Sequence, residues 1–334
     1  MSTVEFLQKN AKKAIYLAIA FLIFSACEQN PYTIDVSHIE VETRFQRFDR
    51  AFFSIDSAQL REELPRLQKQ FPPFFMQNKS PVFWQEQHQD ALQRQLYRKV
   101  EQKFGAMEPW QAELDAAMQH YYHYFGTSDT IAFYTYISNL DFDFPVLYAQ
   151  NYCFAGLDLY LGADAEFYEG RPRYLNFKRQ PQFLVRDCMA ALVAPKLNAE
   201  AKQGTLLQNM IYYGKILHTL RRLMPHHPPH QLIQYTKEDW QFCRENEKKV
   251  WAYFVENQLL FNATENVKRN FIREAPFSKF RTRKDRETPG RIGRWIGWQI
   301  VEAYAQNGGE LRPLQEILAE EDARKILKLS GYKP

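Results

Sequence analysis

The sequence predicts a mainly helical α+β fold: a helical domain carrying one small antiparallel sheet. Three observations lead there. From residue 181 to the end, apolar residues recur at three- and four-residue spacing. The run "TIAFYTYIS" (130–138) is β-branched and aromatic throughout. A second short run, "FPVLYAQ" (144–150), is placed to pair with it.

In chain order, "DVSHIEVETRFQRF" (35–48) alternates Ile39, Val41 and Phe45 with polar residues, which reads as a strand. Asp56 is positioned to cap a helix that stops at the "FPPFF" break, 71–75. Two long helical patterns cover 82–104 and 108–125, and the two strand runs follow. Beyond "GLDLYLGAD" the spacing predicts helices over 181–194, 204–224, 236–260, 264–273, 288–306 and 311–329. Thr236 with Asp239 makes a capping-box start for the third of these. There is no internal repeat and no compositional break, and "MPHHPPH" (224–230) is the one marked low-complexity loop. Residues 35–334 therefore read as one domain.

Hydrophobic residues make up 45% and aromatics 15% of the chain, which excludes a disordered protein. A net charge of +4 over 334 residues is too small to imply a nucleic-acid partner. The N-terminus is more specific. Lys9, Lys12 and Lys13 precede an apolar run from Ala14 to Phe24, and small residues Ser25 and Ala26 stand directly before Cys27. A run that short suits a secretory signal peptide, not a membrane span. Small residues before a cysteine resemble a bacterial lipobox, in which that cysteine is lipidated after cleavage. Residues 1–26 are then the signal peptide and 27–34 a lipidated tether, and loss of three lysines and Glu5 leaves the mature body nearly neutral. Acyl chains contribute about 0.8 kcal/mol per buried CH₂, so two of them anchor a protein stably. The remaining cysteines, Cys153, Cys188 and Cys243, are odd in number and widely spaced, which predicts buried thiols, with one bridge as the alternative in an oxidising periplasm.

Catalytic patterns are scarce. No His-Glu-x-x-His, Gly-x-Ser-x-Gly, phosphate-binding glycine loop or Cys-x-x-Cys occurs, and nothing points to a cofactor or a metal. His120 and His123 share a helix face without a third ligand and read as surface or groove residues. His226, His227 and His230 sit in the proline-rich loop. The carboxylate pairs Asp141/Asp143 and Asp158/Asp164 read as turn and cap residues. "FSKFRTRKDR" (277–286) reads as a solvated basic loop, with anionic lipid or a partner protein as the alternatives.

The stretch "ETPGRIGRWIGWQIV" (287–301) is the most unusual. Thr288 is a suitable N-cap and Pro289 a suitable first residue, yet Gly293 and Gly297 fall inside the helix, each costing about 1 kcal/mol relative to alanine. At 100° per residue Gly293, Ile296, Gly297, Ile300 and Tyr304 share one apolar face, which predicts close packing by another helix. Arg291, Arg294, Trp295, Trp298 and Glu302 share the opposite stripe. That stripe is either covered by the domain or forms a groove for a partner, since Trp and Arg are enriched at binding hot spots.

Together with the lipobox, "NMIYYGKILH", "VWAYFVENQLLF" and "PGRIGRWIGWQIV" make the chain resemble GldB, a family of gliding-motility lipoproteins. The resemblance implies a lipid-anchored cell-envelope protein with its domain in the periplasm. It implies other gliding-machinery or envelope proteins as partners, and no established enzymatic activity. GldB-type sequences are in turn distantly similar to zincin-type metallopeptidases. On that similarity Arg186 stands for the first histidine of the metal motif, Asp187 for its glutamate, Ala190 for the second histidine and Tyr213 for a glutamate ligand. Arginine is a fixed cation and alanine has no donor atom, so the scaffold reads as a degenerate pseudo-peptidase without its metal. The expected function is a non-catalytic binding or scaffold subunit of the gliding machinery. The alternative is a cell-envelope hydrolase or peptidase with an unrecognised site.

Overall fold

Four short strands form the sheet: β1 (Phe45–Arg47), β2 (Ala132–Tyr136), β3 (Val146–Ala149) and β4 (Tyr152–Gly156), in the order β1-β2-β4-β3. The structure is a computed structural model and describes residues 30–127 and 130–334. The sheet is mixed, which corrects the antiparallel expectation. Strand β2 runs parallel to β1 (Phe45 opposite Phe133) and to β4 (Phe133 opposite Cys153), and only β3 and β4 are antiparallel. The run at 144–150 therefore does not pair with β2, because β4 lies between them. Gln150 and Asn151 both adopt positive φ, 51° and 63°, and form the two-residue turn that folds β3 back on β4. Parallel pairing of β1 with β2 requires a long crossover. Helices α1 (Phe48–Phe53), α2 (Leu60–Gln70), α3 (Pro81–Gln89), α4 (Ala91–Phe104) and α5 (Glu108–Phe125) supply it.

One face of the sheet is covered by aromatic rings. Phe74 lies 3.9 Å from Phe48, 5.7 Å from Tyr134 and 5.3 Å from Phe154, centroid to centroid. Helix α6 (Leu184–Val193) packs on β3 and β4, where Cys153 and Cys188 are buried next to each other. Cys153, Cys188 and Cys243 are all free and buried.

The helical half is organised by α7 (Leu206–Leu223) and α10 (Ile292–Gln306), with α8 (Lys237–Glu256) and α9 (Glu265–Phe271) between them in sequence. Their glycines explain the crossing. A methyl group on Gly297 would run into the backbone carbonyl of Met210, and one on Gly214 into the backbone of Gly297 and Trp298. The packing expected from the sequence is thus a reciprocal glycine contact between α7 and α10. Helices α11 (Leu314–Ala319) and α12 (Ala323–Ser330) close the chain.

Several boundaries differ from the sequence reading for local reasons. Helix α10 starts at Ile292, not 288, because Arg291 takes a left-handed conformation (φ 63°). The Thr288 hydroxyl instead donates to the carbonyls of Ser278 and Asp285. The 82–104 pattern divides at Asp90, whose carboxylate accepts from the Gln93 N–H at 2.8 Å and caps α4. The 311–329 pattern divides likewise at Asp322, which caps α12. Asp56 accepts from the Ala58 N–H before α2 begins rather than capping it. The 35–48 pattern retains only three strand residues. Thr236 and Asp239 form the expected capping box at the start of α8.

Contacts divide the chain into two units, Met1–Asp35 and Val36–Pro334. In the first, described from residue 30, the Tyr32 N–H donates to Asn30 Oδ1 at 3.1 Å. Cys27, the signal segment and the first three residues of the tether (27–29) lie outside the described residues. Among the described residues no helix is long and apolar enough to cross a membrane.

Candidate binding site

The Trp/Arg stripe of α10 does not form an open groove. Trp295 and Trp298 are each 1% exposed, so both belong to the core. They pack edge-on and tilted against Trp240, and the Trp298 indole donates to Glu302 Oε1 at 2.7 Å. Their burial follows from α8 lying over this side of α10. The arginines have a different fate. Arg291 and Arg294 turn toward the loop after α9 and meet one carboxylate, Glu274, at 3.2 and 3.3 Å. Lys178, from the segment before α6, contacts the same carboxylate.

Three cations on one carboxylate make an unequal cluster. Their side chains are 7% (Arg291), 16% (Arg294) and 10% (Lys178) exposed, against 36% for Glu274. Arg294 also donates to the Ile272 carbonyl at 2.8 Å and lies 4.0 Å over the Tyr213 ring. Burial, with the Arg291 charge beside it, pushes the Lys178 ammonium well below its ordinary range. Burial alone would raise the Glu274 carboxyl, but Arg291, Arg294 and Lys178 together hold it well below the usual carboxylate range. The two directions agree with the count: the anion has three partners, whereas Lys178 shares one with two other cations.

Above the cluster is a cavity of about 260 Å³, walled by Tyr174, Phe177 and Tyr235 and reached past Arg173. Arg291 donates from Nη2 to the carbonyls of Ile233 and Gln234 at 3.3 and 3.2 Å. Gln234, like Arg291, has a left-handed backbone (φ 55°), so two non-glycine residues in this strained region line one cavity. Such strain persists only where surrounding structure imposes it, and it concentrates at ligand clamps. The Tyr235 hydroxyl donates to the Gly290 carbonyl at 2.5 Å and fixes that wall.

Gln234 also links the cavity to the degenerate metal-motif positions. Its amide donates to Asp187 Oδ1 at 3.0 Å, and Asp187 further accepts from Tyr160 and Arg186. The Arg186 Nε donates to the Leu232 carbonyl at 2.8 Å, so its guanidinium is tied into the scaffold. Ala190 lies one turn further along α6. Tyr213 joins the cluster only as the ring beneath Arg294. Of the four positions, Arg186 and Asp187 share this polar network, whereas Ala190 and Tyr213 do not. Among the described residues no group of three or more His, Cys, Asp or Glu could hold a metal ion.

The histidines and acidic pairs fall elsewhere. His120 is buried rather than lining a surface or groove, with Nδ1 at 2.9 Å from the Ala116 carbonyl, while His123 is exposed. His227 Nε2 is 3.4 Å from Glu113 Oε1. Asp158 is fully buried and accepts from the Ser138 N–H and hydroxyl and the Leu140 N–H. Asp141 accepts from the Asp143 N–H in a turn. In the 277–286 loop Asp285 organises the turn by accepting from the Arg281 and Thr282 N–H groups. Arg173, Lys178 and Glu274 were not singled out by sequence. The available signal was the density of cations in "RPRYLNFKR" (171–179), four in nine residues.

Fold and site together define a mainly helical α+β protein whose most site-like feature is a cation-lined cavity. The family model for gliding motility protein GldB matches the chain over residues 29–334, and the chain belongs to that family. Membership implies involvement in gliding motility. No curated relative and no solved structure matches it.

Proposed function

We propose that the protein is a lipid-anchored, non-catalytic binding subunit of the gliding machinery. Cys27 carries the anchor, the body faces the periplasm, and a partner docks in the cavity over Glu274. The reading is supported above all by that cavity: buried cations outnumber the carboxylate they share, and two strained residues, Gln234 and Arg291, shape the wall. A binding role fits residues that recognise charge without a nucleophile–base pair among them. The pseudo-peptidase reading rests on Arg186 and Ala190, neither of which can ligate zinc.

The test is a double substitution at the mouth, Arg173→Gln with Tyr174→Ala, in cells. Arg173 is exposed and Tyr174 half-buried, so the fold should survive. Gliding should fail while protein level, membrane association and melting temperature stay near those of the parent. Normal gliding in this variant would remove the cavity from the function.

A further inference from the structure

We infer that the cavity takes the carboxylate of a partner protein's peptide segment, an acidic side chain or a chain terminus. The inference rests on reading the cavity as a docking site. It begins with unused donors. The Lys178 ammonium carries three N–H groups, and Glu274 is the acceptor it has among the described residues. An ammonium this far from water with donors left over favours an incoming acceptor, and bonds between charged groups are the strongest available. Arg173 at the mouth makes no ion pair among the described residues, so a second cation is free to close over a bound anion.

Charge selects an anion. The lining contains Arg173, Lys178 and Arg291 against Asp239 and Glu274, and Arg294 adds a fourth cation on Glu274 from outside the lining. Cations thus outnumber carboxylates, and an incoming anion offsets the excess. Size points the same way. At about 260 Å³ the space suits one side chain, below the roughly 300–1,000 Å³ of cavities that hold whole small molecules. The rings of Tyr174, Phe177 and Tyr235 give the apolar part of that side chain a surface to lie on. Burial weakens the hold of Lys178 on its proton, and an arriving carboxylate would act in the opposite direction.

The experiment uses the full-length lipidated protein in detergent and benzoate as the probe, with benzamide as its neutral isostere and inorganic phosphate as the dianion. Calorimetry should show benzoate binding, benzamide at least about tenfold weaker, and phosphate weaker than benzoate. Arg173→Gln should weaken benzoate about fivefold at an unchanged melting temperature, the effect of losing one solvent-facing ionic contact. Lys178→Met should abolish binding; if it unfolds, the Arg173 variant still decides. Equal binding of benzoate and benzamide, tighter binding of phosphate, no binding at all, or no effect of Arg173→Gln would each overturn the carboxylate assignment. If benzoate fails while the Arg173/Tyr174 variant still abolishes gliding, the ligand class is wrong and the docking site stands. If that variant glides normally, both are wrong.

Discussion

Two charge clusters in this molecule use similar parts to opposite ends. Beside β1, Asp49 is fully buried and accepts from Arg47 at 2.6 Å and from the Thr135 hydroxyl at 2.6 Å. Glu101 accepts from Arg47 and Arg50, and the spare guanidinium donors reach the carbonyls of Phe104 and Gly105 at 2.6 Å each. Two arginines meet two carboxylates, and the leftover donors find backbone acceptors. Around Glu274 three cations meet one carboxylate, Lys178 has that carboxylate as its acceptor among the described residues, and a cavity lies alongside. Desolvated charges are tolerated when fully paired and become costly when one partner is missing. A balanced cluster is thus a fastening for β1 and α4, whereas the unbalanced one beside a cavity is the site we propose for a ligand.

The comparison breaks most visibly at Asp49. Asp49→Ala takes from Arg47 its buried counter-ion and from the Thr135 hydroxyl its acceptor, and should destabilise the protein by about 3 kcal/mol or more in urea unfolding. A loss below about 1 kcal/mol would mean that water reaches Arg47 and that the cluster is not the closed fastening described.

A carboxyl outside both clusters sharpens the rule, with no Lys or Arg partner among the described residues. Glu113 on α5 is raised to about 7 by burial. Its folded pKa exceeds the unfolded one, so the folded state binds the extra proton and stability falls as pH rises from about 4.5 to 7. Glu113→Gln removes that loss. The variant should match the parent near pH 4 and exceed it by up to about 3 kcal/mol at pH 8, at 1.36 kcal/mol per pKa unit. His227 and His120 are lowered chiefly by burial and act in the other direction, costing stability as pH drops below about 6.5. Denaturation midpoints of parent and variant from pH 4 to 8 give the difference curve, and a flat one would rule out a neutral Glu113.

The smallest effect is expected at Glu274. Glu274→Gln takes the shared charge from three largely buried cations, but the amide carbonyl still accepts from them and the side chain is 36% exposed, so the cost should be roughly 1–2 kcal/mol, below that of Asp49→Ala. Removing this competing carboxylate should also tighten benzoate binding. A stability loss as large as that of Asp49→Ala would make the two clusters alike and the contrast between them empty.

Much of the helical half was legible in the sequence because helix signals are local. Thr236 with Asp239 specifies a capping box within four residues, and the α10 glycines announce a close neighbour through a period that any straight helix obeys. The sheet was legible only in part. The alternation in β2 predicts a strand, but no local signal says which strand lies beside it, and a hairpin turn with Gln150 at positive φ departs from the usual Asn-Gly or Asp-Gly.

The site was the least legible feature. The sequence by itself determined that Arg291 and Arg294 share a stripe with Trp295 and Trp298, that Arg186 and Ala190 cannot hold zinc, and that the chain resembles a gliding-motility family. Tertiary structure decided that the stripe splits, with the tryptophans sealed beneath α8 and the arginines swung onto Glu274. It also brought Lys178 to that carboxylate from nearly a hundred positions away. The reason is that burial and pairing of charge depend on distances through space. A helical period states which residues share a face, and only the packed neighbours state whether that face meets core, counter-ion or an open cavity.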